Sequence, residues 1–144
     1  MQEQIWKKID GYDDYFISNL GNIKSIKFGK TNYMALSKDK DGYFKVKLYK
    51  NGKSNVAYIH RLVAKTFISN PNNYKIVNHK DENKQNNNAL NLEWCTSKYN
   101  NNYGTRYFKN NRKKYICEAL NLLKKVESKD EKLGKAINLL EKLK

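Results

Sequence analysis

Two histidines, His60 and His79, and a stretch rich in asparagine are where this sequence could do chemistry. The stretch reads IVNHKDENKQNNNALNLEWCTSKYNNN over residues 76–102 and sets His79 near its start. An imidazole with an unperturbed pKa of about 6.5 is largely neutral near pH 7 and can accept a proton. Asparagine carries a donor and an acceptor on one amide, so it can tie two backbone segments together where aspartate could not. By itself a run such as NKQNNN reads as a solvated loop, and an AT-rich genome inflates asparagine and lysine everywhere. The flanking elements therefore decide whether His79 belongs to a loop or to a site.

Those elements are legible. KIVNH reads as a strand because of Ile76 and Val77, the Asn-rich KDENKQNNNALN cannot supply a packed face and reads as a loop, and LEWCT returns as a second strand. Ser97 is placed to N-cap a helix through KYNNN, giving strand, long loop, strand, helix. Upstream, IWKKIDGYDDYFISNLGNIKSI mixes aromatic and β-branched residues with turn signals at Gly11, SNLG and Gly29, which predicts short antiparallel strands. DGYFKVKLYKNGKSNVAYIH alternates Phe44, Val46 and Leu48 with Lys45, Lys47 and Tyr49, and Asn51-Gly52 supplies a tight hairpin turn. HRLVAKTF sets Leu62, Val63 and Phe67 on one side of a short helix closed by the SNP at residues 69–71. From Arg112 the pattern turns helical, with Ile116, Leu120 and Leu123, then Leu133, Ile137 and Leu140. SKDE at residues 128–131 fits a capping box between two amphipathic helices.

Length and charge bound the function. A chain of 144 residues holds one domain with small appendages and a modest core. Lys plus Arg number 29 against 14 Asp plus Glu, a formal net charge of +15, and the pI is near 9.7. That excess points to a polyanionic partner, with nucleic acid ahead of a membrane because no apolar stretch approaches the ~20 residues of a span. The start, MQEQIWKKIDGY, has no secretory h-region, so the expected place of work is the cytoplasm, that of a host cell if a phage encodes the chain. Cys95 and Cys117 are too few and too far apart for a local zinc site or a disulfide framework and read as small reduced hydrophobes.

NHKDENKQNNNALNLEW resembles the HNH motif of the ββα-metal endonucleases, in the branch found in phage- and intron-encoded homing endonucleases. IWKKIDGYDDYFISNLGNIKS resembles the NUMOD4-like module that often precedes it, through Trp, Gly-Tyr, Tyr, Ser-Asn, Gly and Ser, and IHRLVAKTF resembles the segment between the two. Three motifs in order over roughly residues 5 to 103 are far more specific than any one. The resemblance implies an α+β protein with an N-terminal antiparallel β module over 1–54, an HNH core over 55–111 and a helical tail, a C-terminal helical hairpin, over 112–144.

It also implies roles. His79 corresponds to the general base and Asn91 to the asparagine that braces the loop. Asn78 and Asn100 correspond to the ligands of a divalent metal, Mg²⁺ or Mn²⁺, which with two side chains keeps part of its hydration shell. Some relatives carry Asp where Asn78 stands, and a neutral amide is a weaker ligand for a hard cation. His60 belongs to the preceding helix, with a structural or DNA-contacting role. Double-stranded DNA is the implied partner, and Lys24, Lys27, Lys45, Lys47, Lys50, Lys53 and Arg61 are the expected phosphate contacts. The leucine-rich tail either packs on the nuclease body or forms a homodimer; one site would nick, whereas a two-fold pair would cut both strands. The rivals are a catalytically silent DNA-binding protein on the same scaffold and an RNA-binding or structural phage protein.

Overall fold

The computed structural model describes residues 3–124 and 131–142, side chains from 124 and 131–133 excepted. Residues 128–130 of the SKDE segment, Lys125 and the side chains of Glu131 and Leu133 lie outside the described residues. The chain divides into two compact units, residues 1–97 and 98–144.

Three antiparallel sheets build the first unit. The aromatic and β-branched N-terminal segment forms β1 (Trp6–Ile9), β2 (Tyr12–Ser18), β3 (Ile23–Ser25) and β4 (Asn32–Tyr33), hydrogen-bonded in that order. Register pairs Phe16 with Lys24 and Ile17 with Ile23, so alternate residues separate by face. Tyr15, Ile17, Ile23 and Ser25 point into the core, while Lys24 lies 4.5 Å from the centre of the Trp6 ring on the other face. A second sheet joins β5 (Ser37–Lys38), β6 (Phe44–Lys50) and β7 (Lys53–Tyr58). Val46 and Leu48 are buried and Lys47 and Tyr49 exposed, as the alternation predicts. Asn51 (φ 50°) and Gly52 (φ 73°) both take the left-handed region that a two-residue hairpin turn demands.

Helix α1 (Ile59–Phe67) follows β7 directly. It buries Ile59, His60, Val63 and Ala64 against a core of Ile9, Ile17, Ile23, Val46, Leu48, Val77 and Leu92. The third sheet is β8 (Ile76–His79) against β9 (Leu92–Cys95), with Asn78 opposite Glu93 and His79 opposite Leu92. Residues 80–91 connect them as a long loop that ends in a 3-10 turn at Ala89–Asn91. Cys95 and Cys117 are thiols and not partners in a disulfide.

The second unit is helical. Helix α2 (Ser97–Asn101) completes the ββα order, with Ser97 as its first residue rather than the residue before it. Helices α3 (Gly104–Lys124) and α4 (Glu131–Lys142) pack on each other. Ile116 and Leu120 are buried, and Leu123, Ile137 and Leu140 are half-buried, which follows the expected stripe. Among the described residues no helix is long and apolar enough to cross a membrane.

Candidate active site

Asn78 and His79 end β8, and both are nearly inaccessible, 1% and 2% exposed. A strand end backed by a packed core fixes a side chain better than a loop does. The His79 ring meets two neighbours across the core boundary: the His60 ring lies 5.4 Å away, centre to centre, and the Tyr43 ring 6.0 Å.

The imidazole is oriented by Asn87, a buried residue of the connecting loop. His79 Nε2 lies 3.2 Å from Asn87 Oδ1, and Asn87 Nδ2 donates to the Gln85 carbonyl at 3.1 Å. That second bond settles which end of the amide faces the ring, because a carbonyl can only accept. Oδ1 therefore accepts from Nε2–H, and in the neutral ring the lone pair belongs to Nδ1. The contact gives His79 the tautomer that a base acting through Nδ1 requires.

The loop that carries Asn87 is ordered by its own side chains. Asp81 Oδ1 accepts from the Asn83 N–H at 2.8 Å, Asn83 Oδ1 from Gln85 N–H at 3.0 Å, and Asn88 Oδ1 from Leu90 N–H at 2.9 Å. These are successive Asx turns, each side chain capping the backbone two residues on. Asn91 closes the loop: Nδ2 donates to Asp81 Oδ1 and to the Asn86 carbonyl, both at 2.8 Å, while Oδ1 accepts from Asp81 N–H at 3.1 Å. Its main-chain carbonyl takes the Lys80 N–H at 2.8 Å, tying the start of the loop to its end. Desolvation pushes Asp81 up, but donors from Asn86, Asn91 and the Asn83 backbone outweigh it and hold the carboxyl below its usual range. Sequence reasoning singled out Asn91 but missed Asn87, Asp81 and Tyr43. The i, i+2 spacing of Asx residues was the available signal.

His60 is 7% exposed. It packs among Tyr43, Tyr58 and His79, with ring centres 4.9, 5.7 and 5.4 Å away. Burial, then the neighbouring His79 and Arg61 charges, push its pKa down to about 4, with Asp39 weakly opposing. His60 is therefore neutral at pH 7, and its Nδ1 is buried with no partner.

Of the two expected metal ligands, Asn78 donates through Nδ2 to Glu93 Oε1 at 2.8 Å. Asn100, on α2, accepts from Arg106 Nη1 through Oδ1 at 2.6 Å and through its main-chain carbonyl at 3.0 Å. To ligate a cation it must exchange the guanidinium for the ion. An amide oxygen is the kind of donor a hard divalent cation takes, and the carboxylate of Glu93 stands beside Asn78. Among the described residues no group of three or more His, Cys, Asp or Glu could hold a metal.

The expected DNA contacts of the first unit are mostly at its surface. Lys47, Lys50, Lys53 and Arg61 are exposed and Lys45 is half-buried. Lys27 Nζ donates to the Tyr49 carbonyl at 3.1 Å and stands over the Tyr15 ring. Arg61 donates to the Lys75 carbonyl at 3.2 Å. It lines an open cavity of about 790 Å³ with Lys65, Lys75, Tyr74 and Trp94, a basic groove the sequence did not reveal.

A buried histidine at the end of the first strand, an asparagine-braced loop and a ββα order are the marks of an HNH nuclease scaffold. Residues 57–102 match the HNH endonuclease family and residues 4–49 the NUMOD4 motif. Among individual proteins it is 44% identical over 96 residues to DNA endonuclease I-HmuI of Bacillus phage SP01, covering 66% of this chain and 54% of that enzyme. It is 47% identical over 98 residues to an uncharacterised HNH endonuclease of Acanthamoeba polyphaga mimivirus, covering 68% of this chain and 29% of the relative. A solved structure described as DNA binding and cleavage by the HNH homing endonuclease I-HmuI superposes with a TM-score of 0.61 and 37% identity, over 83% of this chain and 66% of the other. The chain thus spans about half of the phage relative and less than a third of the viral one.

Proposed function

We propose that this chain is a divalent-metal-dependent DNA endonuclease that nicks double-stranded DNA, with His79 as general base. The observation that carries the reading is the contact of His79 Nε2 with the buried amide oxygen of Asn87, which puts the ring's lone pair on Nδ1. Nδ1 takes a proton from water as the water oxygen attacks phosphorus. The P–O3′ bond breaks, leaving a 5′-phosphate and a 3′-hydroxyl. Asn91 holds the loop so that β8 and the imidazole stay in register through the step. Asn78 and Asn100 are the proposed ligands of Mg²⁺ or Mn²⁺, which when bound offsets charge on the scissile phosphate and the departing oxygen. Lys24, Lys27, Lys45, Lys47, Lys50, Lys53 and Arg61 are the proposed phosphate contacts. His60, neutral and interior, supports the ring of His79 from beneath. The DNA binding and cleavage described for the I-HmuI structure support this reading.

The test is incubation with supercoiled plasmid and Mg²⁺ or Mn²⁺, including DNA from the source genome, with EDTA and His79→Ala controls. Open-circular product that vanishes in both controls is the expected outcome. Linear product would indicate paired sites, and salt-sensitive binding without cleavage would leave a silent DNA-binding module.

A further inference from the structure

The SNLG turn between β2 and β3 touches the nuclease loop more closely than a neighbouring module needs to. Its own geometry is fixed: Ser18 Oγ accepts from Asn22 N–H at 3.0 Å and Leu20 N–H at 3.3 Å, and Ser18 N–H donates to the Asn22 carbonyl at 2.8 Å. Asn19 anchors the turn to the chain's start, accepting from Ile5 N–H at 2.9 Å and donating to the Glu3 carbonyl at 3.0 Å. Ser18 and Asn19 are both buried. From this fixed turn the Asn19 carbonyl accepts the Ala89 N–H at 2.8 Å, in the loop that carries Asn87. Gly21, at φ +86°, lies so near Asn87 that an added Cβ would stand 2.9 Å from Asn87 Cβ and 3.3 Å from Ile59 Cγ2.

We infer that the Ser18–Asn22 turn of the N-terminal module is a positioning element of the nuclease site: Asn19 and Gly21 seat the 86–91 loop so that Asn87 holds the His79 ring. The inference rests on His79 being the base. Gly21 is there for two reasons, the left-handed backbone and the absence of a Cβ where residue 87 must pass. The turn holds the loop on this side by binding Ala89, two residues after Asn87, and by lying against Asn87 itself. The module therefore carries part of the catalytic geometry, whatever DNA contacts it also makes, and Asn19, Gly21 and Asn87 are positioning residues.

The experiment uses the full chain with a duplex bearing its cleavage site. Gly21→Ala is compared with Gly11→Ala, which has a similar φ of +76° and nothing within 4 Å of the added Cβ. Backbone strain is then matched and only the close approach differs. Gly21→Ala is expected to slow single-turnover nicking by roughly ten- to a hundredfold, the scale of a misplaced catalytic group, with DNA affinity unchanged, while Gly11→Ala cuts at the wild-type rate. The ¹⁵N shifts of His79 in DNA-free protein at fixed pH give a second readout: Nε2–H in wild type and Gly11→Ala, mixed tautomers in Gly21→Ala and Asn87→Ala. The Gly21→Ala/Asn87→Ala double variant should be no slower than Asn87→Ala alone, since both act through one amide. If Gly21→Ala does not fold, Asn87→Ala decides by the same rate and shifts. Wild-type rate and tautomer in Gly21→Ala or Asn87→Ala, with His79→Ala inactive, would overturn the inference and leave the base intact. An active His79→Ala would instead overturn the base itself.

Discussion

The two compact units are built to different standards. In residues 3–97, Ile17, Ile23, Leu48, Ile59 and Val63 are essentially inaccessible, and the polar pair Asn78 and His79 is buried as deeply as they are. Among the described residues of the helical unit Ile116 and Leu120 are the buried hydrophobics, while Phe108, Leu122 and Leu139 are 64–66% exposed. Interiors packed to crystal-like density hold side chains in one rotamer, and sparse ones do not. The residues whose proposed job is an angle or a tautomer, His79, Asn87 and Asn91, all sit in the first unit. Asn100, whose proposed job tolerates exchange between a guanidinium and a cation, sits in the second.

The largest effect follows from that division. His79→Ala should lower single-turnover nicking by about 10²–10⁴-fold, the usual contribution of a general base, with DNA affinity retained. Asn100→Ala should cost less at saturating Mg²⁺ and recover as Mg²⁺ is raised, because it removes one donor to an ion that also binds water and phosphate. Equal, Mg²⁺-insensitive losses from both substitutions would mean that the helical unit holds its share of the site as rigidly as the first, and the contrast fails.

Stability should divide the same way. Ile59→Ala, at a fully buried position, is expected to cost about 2–5 kcal/mol in urea denaturation, and Leu120→Ala less, because the partly exposed helix pair can close around the gap. A pH series sharpens the picture around His60. Its folded pKa of about 4 lies below its ordinary 6.5, so between those values the unfolded chain binds the extra proton and stability falls as pH falls. The contribution is whole above pH 6.5 and lost on the way down to pH 4, by at most about 3 kcal/mol. Thermal melts of His60→Gln should lack that slope, and a variant that melts in parallel with wild type would show the ring to be solvated.

Much of this was legible beforehand because strands and turns write themselves locally. Val46 and Leu48 against Lys47 and Tyr49 announced β6, and Asn51-Gly52 announced its hairpin. Ile76 and Val77 marked the strand that ends on His79. The expected base, His79, and the expected brace, Asn91, came from resemblance and not from local pattern. What stayed hidden was long-range. Asn87 is one asparagine among several in the loop, and what distinguishes it is a contact with Gly21, 66 positions earlier in the chain, that no periodicity records. For His60 the sequence left a structural and a DNA-contacting role open, and its burial was not legible for the same reason, since Tyr43 and Tyr58 reach it from elsewhere in the chain. The order of the loop, expected only to be polar, comes from Asx residues at i and i+2 around one carboxylate, Asp81.

The smallest effects concern how DNA contact is shared between the units, and salt dependence resolves them. Each phosphate neutralised adds about −0.9 to the slope of log affinity against log salt, so removing one true contact should flatten the slope by about that amount. Lys47 projects from the exposed face of β6, beside Tyr49. Lys114, on α3, already lies 3.9 Å from Glu118 one helical turn on. Such an exposed i, i+4 pair is worth little to stability, yet it leaves Lys114 less net charge to offer a phosphate. Lys47→Ala should therefore flatten the slope by nearly one and Lys114→Ala by distinctly less, measured by binding a fixed duplex from low to physiological salt. If Lys114→Ala flattens it as much, the thinly packed unit grips DNA as firmly as the unit that holds His79. The division between them would then be one of precision and not of affinity.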